Sequence, residues 1–313
     1  MRDAFSTALV RLAVADPKVL LLTGDHGYAL FDEFRKRCPH QYINAGIAEQ
    51  NMVGMAAGLA RAGFRPFVYG LAAFVPVRTV EQIKLDIAHD NLPVILLGDG
   101  AGFVYSHLGT SHQSTEDIAC TRAIPQLEVL SPADRHEMTI CMDRAYMAKR
   151  PVYLRMGKSD RGDVHAGHLP DLKSGRLIRV IDGRRDRPAL IATGSMVRPA
   201  LDIAQGSLNC AVWSAPSLKP LEIADVCAAA TAASGVVTLE EHSVLAGLGS
   251  AVAEILSEHQ PTRILRIGVE DRFSEHCGTH AYLLREHGLD TDSVRTRIQQ
   301  FVARYEAGAV IDA

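Results

Sequence analysis

"YINAGIAEQNMVGMAAGLARAG", residues 42–63, changes its hydrophobic period within a few positions. Tyr42 and Ile43 read as the end of a short strand, and Asn44, Ala45 and Gly46 as a turn. From Ile47 the apolar residues recur at helical spacing (Ile47, Met52, Met55, Ala56, Leu59) until Gly63 stops the run. The pattern predicts a strand–turn–helix unit whose helix is buried on most sides. Glu49 stands out, a single carboxylate just after the start of that helix. It has two readings. A first-turn acid complements the helix dipole for roughly 0.3–1 kcal/mol. An acid set in an apolar wall can instead hold or move a proton. First-turn glutamates are common, so the stretch by itself favours the former.

The same alternation extends outward. Apolar runs at 19–24, 64–70, 92–100, 127–132 and 151–157 read as strands, with helical patterns between them, as at 79–90 and 133–149. Continuous apolar strands separated by helices predict a parallel sheet covered on both faces. A polar stretch rich in Gly, His and Asp, 157–176, reads as a linker. The pattern resumes at 188–195, 210–215, 235–241 and 263–269. The expected fold class is α/β with two domains, 1–172 and 173–313, each a mostly parallel sheet with helices on both faces. "GRRDR" (183–187) reads as a solvated turn.

Composition narrows the function. A chain of 313 residues, 47% hydrophobic and 22% charged, suits two globular domains. A net charge of −3 gives no electrostatic case for nucleic acid or an anionic membrane as partner. The first residues read as an amphipathic helix (Ala4, Phe5, Ala8, Leu9, Leu12) rather than a secretion signal, and no run reaches the roughly 18 apolar residues of a membrane span. The six cysteines are scattered without a CxxC pair, which predicts reduced thiols and a cytoplasmic location.

Ligands of open α/β sheets bind beyond the carboxyl ends of the strands. "TGDHG" (23–27), the long loop 98–117 and "RMG" (155–157) lie at such ends. The long loop carries His107 and His112. Five residues apart, with no third ligand at suitable spacing, they make a poor metal site, and no metal ligand is assigned to this chain. Ser106 and Ser111 lack the strand–elbow–helix setting of a hydrolase nucleophile. "GDG" (98–100) suggests a diphosphate loop, but no asparagine follows at the required distance.

Several ordered motifs together carry a resemblance. "NAGIAEQNMVGMAAGLARAGFRPFV" (44–68), "QIKLDIAHDNLPV" (82–94), "GTSHQSTEDIA" (109–119), "VLSPAD" (129–134) and "PVYLR" (151–155) resemble the pyrimidine-binding domain of transketolases. "LIATGS" (190–195), "KPLE" (219–222), "VVTLEEHSVLAGLGSAVAEIL" (236–256) and "RIGVEDRFSEHCGTHAYLLREHGL" (266–289) resemble the transketolase C-terminal domain. In that family a further domain binds the diphosphate and Mg²⁺ of thiamine diphosphate. The resemblance therefore implies the smaller subunit of a split transketolase, working with a separate N-terminal diphosphate-binding subunit, in an α2β2 heterotetramer, with Mg²⁺ held mainly by the partner. The implied reaction moves a two-carbon ketol unit from a ketose to an aldose.

The resemblance also implies roles. Glu49 hydrogen-bonds the pyrimidine N1′ and drives the proton transfer that activates the cofactor. Phe74 stacks on the pyrimidine, with Leu71 beside it where the family has an aromatic. Asp25 lies near the thiazolium, His112 exchanges protons with the sugar, and Arg155 grips the sugar phosphate. Glu240, Glu241 and His242 are structural. Departures accompany these matches. Val77 replaces a tyrosine, which thins the stack. "YSHLGTSH" (105–112) lacks the usual acid, for which His107 is the stand-in. Asp99 aligns with a phosphate-side histidine, where an acid would repel phosphate, so a modified or unphosphorylated sugar is expected. Alternatives are the β subunit of a 2-oxo acid dehydrogenase, which shares the fold and the glutamate, and a non-catalytic partner subunit.

Overall fold

The computed structural model describes residues 1–27, 29–157 and 161–306. Among them are twelve strands: β1 (Val19–Thr23), β2 (Tyr42–Asn44), β3 (Arg65–Leu71), β4 (Ile95–Asp99), β5 (Glu128–Leu130), β6 (Val152–Met156), β7 (Ile178–Ile181), β8 (Ala189–Ala192), β9 (Val212–Ser214), β10 (Ser217–Lys219), β11 (Val236–Ser243) and β12 (Ile264–Val269). The first sheet runs β10-β5-β6-β4-β3-β1-β2 and the second β12-β11-β8-β9-β7. Every pairing is parallel except β10 on β5 and β7 on β9, each antiparallel at a sheet edge.

The apolar runs are continuous because both faces of each central strand are covered. In the first sheet Leu20, Leu22, Val68 and Leu96 pack with the helix Glu49–Arg61 on one face. Val19, Leu21, Phe67, Ile95 and Leu97 pack on the other, with the helices Arg2–Ala15 and Arg135–Met147. Each such side chain contributes roughly 1.5–3 kcal/mol on burial. Among the described residues no helix is long and apolar enough to cross a membrane.

Expectations for individual elements change. The helix after the 44–46 turn begins at Glu49, not Ile47, and Ile47 is 75% exposed. That helix buries one face only (Met52, Val53, Ala56, Ala57, Ala60), leaving Gln50 and Asn51 exposed. The pattern at 79–90 is not one α-helix: a turn at Val80–Gln82 passes into a π-helical segment, Ile83–Ala88. β10, which follows the boundary drawn after residue 172, pairs with β5 of the first sheet. The linker expected at 157–176 includes residues 158–160, which lie outside the described residues. Its later part is pinned to the helix Arg135–Met147: the Val164 and His165 amides donate to Asp134 Oδ2, and His165 Nε2 lies 2.8 Å from Glu137 Oε1.

The topology fixes where chemistry can sit. β4, β3, β1 and β2 are successive neighbours and parallel, so the segments following them emerge along one edge. Those segments carry His112, Phe74, His26 and Glu49 in turn.

Candidate active site

At that edge Glu49 opens its helix, its side chain only 11% exposed, with Oε2 3.7 Å from Arg78 Nη1. The Arg78 guanidinium lies over the Phe74 ring, 3.9 Å from its centroid. The His112 ring meets Phe74 edge-on at 5.2 Å, and the His26 ring is tilted at 6.2 Å. Ser111 Oγ is 3.0 Å from His112 Nδ1. Leu71 ends β3 in a buried position, and its carbonyl accepts from the Phe74 amide. A cleft of about 480 Å³ opens beside this group, lined by Ile47, Ala48, Glu49, Gln50, Asn51 and Arg78. Asp25 is exposed in the loop that carries His26. His107 is exposed on a 3₁₀ turn, Ser106–Leu108.

A second set of ionisable residues is closed. Arg155, 2% exposed, donates from Nε to Asp117 Oδ2 at 2.8 Å and from Nη2 to the Glu241 carbonyl at 2.8 Å. Tyr153 donates to the same Asp117 oxygen. Burial disfavours both charges, but each outweighs that penalty for the other: the Arg155 pKa is raised and the Asp117 pKa lowered. Glu241 is buried too, but it accepts from His280 Nε2, Ser195 Oγ and the Phe103 amide, which together bring its pKa down to about 2. Gly102, at φ +70°, lets the Phe103 loop reach it, since a Cβ there would meet Glu241 Oε1 at 2.4 Å. Burial lowers the His242 pKa to about 4; its Nε2 accepts from the Ala119 amide. Burial raises the Glu240 pKa to about 7, although the amides of Leu248 and Gly249 both donate to it. This network joins β11 of the second sheet to the loops of the first.

Two expected substrate residues belong to closed networks. Arg155 directs Nε to Asp117 and Nη2 to two carbonyls, contacts that compete with a bidentate grip on a sugar phosphate. Asp99 is buried, and its Oδ2 accepts from Tyr69 at 2.7 Å and Tyr105 at 2.9 Å, with Arg2 Nε at 3.9 Å. Burial, reinforced by the Asp99 charge, raises the pKa of both tyrosines. "GDG" is thereby explained structurally: Gly100 sits at φ +77°, and a Cβ there would come within 2.0 Å of the Tyr105 ring.

Comparison with known proteins identifies the family. The family described as "Transketolase, pyrimidine binding domain" matches residues 1–162, and "Transketolase, C-terminal domain" matches 180–294. The chain belongs to the transketolase family. Its two domains are those of the C-terminal subunit in split members. It is 32% identical over 308 residues to one of the subunits of the apulose-4-phosphate transketolase of Phocaeicola vulgatus, covering 97% of each chain. It is 30% identical to the 6-deoxy-6-sulfo-D-fructose transketolase subunit SqwH of a Clostridium species, covering 94% of this chain and 92% of that one. Its fold superposes with a TM-score of 0.88 on a split-gene transketolase described as an inactive β4 tetramer, at 34% identity over 96% of this chain and 98% of the other.

The transketolase architecture is one that binds thiamine diphosphate, and the open cluster suits the aminopyrimidine half of that molecule. It offers one carboxylate and one aromatic face beside a cleft. Two members of the cluster, Arg78 and His26, were not singled out from the sequence. Each had a signal. Arg78 lies four residues after Phe74, one helical turn, which stacks its side chain above the ring. His26 adjoins Asp25 at the end of β1.

Proposed function

We propose that this chain supplies the pyrimidine wall and the substrate-side histidine of a split transketolase, which transfers a two-carbon ketol unit from a ketose to an aldose. The observation that carries this is the grouping of the Glu49 carboxylate, the Phe74 face and the His112 ring at one sheet edge, with Arg78 linking the first two beside a cleft that Glu49 and Arg78 line. When bound, thiamine diphosphate supplies a nucleophilic carbon and an electron sink. Glu49 holds and returns the proton at the pyrimidine N1′. Phe74 orients that ring by stacking. The Glu49 side chain is only 11% exposed, and limited access of water strengthens a shared hydrogen bond. His112 exchanges a proton with a sugar hydroxyl. Asp25 belongs to the loop on the thiazolium side, and His107 is within the long loop on the substrate side. A separate subunit contributes the diphosphate and Mg²⁺ site, and the working assembly is α2β2. A solved relative that is inactive as a β4 tetramer supports the need for that partner. Relatives named for apulose 4-phosphate and a sulfonated fructose support a modified sugar as substrate.

The test is reconstitution with the diphosphate-binding subunit. The pair turns over a ketose, and Glu49→Gln lowers turnover by roughly 10²-fold or more while the melting temperature holds. Exchange of the cofactor C2 proton in D₂O, followed by NMR, is slowed in parallel. Unchanged exchange in Glu49→Gln sinks the catalytic reading and returns Glu49 to the dipole. In the same assay xylulose 5-phosphate with ribose 5-phosphate is a poor substrate pair. A kcat/KM of about 10⁴ M⁻¹s⁻¹ or more for that pair contradicts the modified-sugar assignment.

A further inference from the structure

Arg78 occupies a place that the proposed cofactor needs. Its guanidinium lies 3.9 Å from the Phe74 centroid and 3.7 Å from Glu49 Oε2. One flat, delocalised cation therefore spans the ring and the carboxylate. A pyrimidine that stacks on Phe74 and hydrogen-bonds Glu49 must lie between the same two groups. The guanidinium imitates that ring chemically, with a π-like face toward the phenyl group and N–H edges toward the carboxylate. The two cannot share one face of Phe74 at once.

We propose that Arg78 is a resident occupant of the pyrimidine place, displaced from Phe74 and Glu49 when thiamine diphosphate binds. This rests on the thiamine-diphosphate reading of the Glu49 cleft. The geometry makes displacement cheap. The Arg78 side chain is 51% exposed, so about half of it already faces solvent. Its backbone stays anchored, since its amide donates to the Phe74 carbonyl at 3.0 Å and its carbonyl accepts from Gln50 Nε2 at 3.4 Å. Only the side chain has to swing, away from Phe74 and Glu49 toward the solvent that half of it already faces. The ion pair is long, at 3.7 Å, and the arginine in both contacts is half exposed, so each contact is weak. Together they place the free chain mostly in the occupied state without blocking a tight ligand. The apparent dissociation constant of the cofactor is then its intrinsic value divided by the fraction of sites that are vacant. Until displaced, the guanidinium also keeps the Glu49 charge paired and the Phe74 face covered.

The experiment titrates thiamine diphosphate, at fixed Mg²⁺, into the reconstituted two-subunit protein by calorimetry. The wild type is compared with Arg78→Ala and Arg78→Lys. Removing the occupant in Arg78→Ala tightens binding by about 3- to 10-fold. Arg78→Lys falls between, because an ammonium still pairs with Glu49 but has no flat face for the ring. An Arg78→Ala protein that binds equally or more weakly overturns the inference. If that variant fails to fold, a lysine variant that binds equally or more weakly than the wild type overturns it by itself. A wild-type pair that binds no thiamine diphosphate refutes the cofactor reading itself, a separate and recognisable failure.

Discussion

Glu49 and Asp117 are carboxylates at the first turns of two helices in the same domain, each facing an arginine, yet their settings are opposite. Asp117 is fully buried, and its arginine is bound through Nε with further carbonyl and tyrosine contacts around the pair. Glu49 stands beside a cleft, and its arginine is half exposed at 3.7 Å. The closed pair finds its partners within the chain through Asp117 Oδ2 and the Glu241 carbonyl, with Asp117 Oδ1 buried and unpartnered, and it links the two sheets. The open pair leaves a carboxylate and a ring face whose present partner is only weakly held. A site that awaits a ligand resembles a network with one member still missing. Strong charge–charge contact marks the closed pair here, and weak contact marks the pair proposed to meet a ligand.

The largest effect expected from this contrast is on stability. Arg155→Met leaves Asp117 buried without its cation, and a buried pair broken from one side costs about 3–5 kcal/mol. Urea unfolding at neutral pH measures it. The same truncation at Arg78, which faces solvent, is expected to cost under about 1 kcal/mol. A cost at Arg155 no greater than that at Arg78 would erase the distinction between the two pairs.

The next effect depends on pH. Burial holds the folded His242 pKa at about 4, against an ordinary value of 6.5. The folded chain keeps His242 neutral while the unfolded chain takes up a proton below 6.5. Its contribution is therefore full above pH 6.5 and is lost as pH falls toward 4. Glu240, 3.6 Å from His242 and raised to about 7, acts with the opposite sign in an overlapping window: its contribution is full below its ordinary 4.5 and is lost as pH rises through 7. The wild-type profile is the sum of these slopes, so the difference from a variant isolates the histidine. His242→Gln can still accept from Ala119 and donate to the Ser243 carbonyl, the partners His242 uses. Relative to wild type it gains about 2 kcal/mol between pH 7 and pH 5, read from denaturant unfolding at both values. Parallel profiles would mean that His242 does not titrate as a buried neutral group.

Much of the fold was legible because buried parallel strands write continuous apolar runs, and the central strands of both sheets were found that way. β10 was not, since three residues at an antiparallel edge carry too short a pattern to show which sheet they join. Glu49, Phe74 and His112 were legible as residues that a known family uses, and the strand order brings them together. Arg155 and Asp99 show the limit of such transfer. Sequence places both at the carboxyl ends of β6 and β4, the right region for a ligand. It does not record that Asp117, Tyr69 and Tyr105 take up their polar groups. Which charges are spent internally is a property of packing in three dimensions, and no spacing along the chain encodes it.

The smallest effect is also the sharpest on the open side. Phe74→Leu removes the ring on which the pyrimidine stacks, a loss of roughly 0.5–1.5 kcal/mol. It also removes the ring that holds Arg78. Both the ligand and its competitor lose the same support, so thiamine diphosphate affinity in the reconstituted pair falls only about 2- to 3-fold. In an Arg78→Ala background the competitor is already gone, and the same Phe74→Leu change weakens binding by about 10-fold. The two substitutions are therefore non-additive, with a coupling of roughly 1 kcal/mol, the scale expected for residues in direct contact. Calorimetry on the four proteins closes the cycle. Additive changes would mean that Arg78 and the pyrimidine do not contend for one face of Phe74, and the open cluster would then be a surface ion pair beside an ordinary core aromatic.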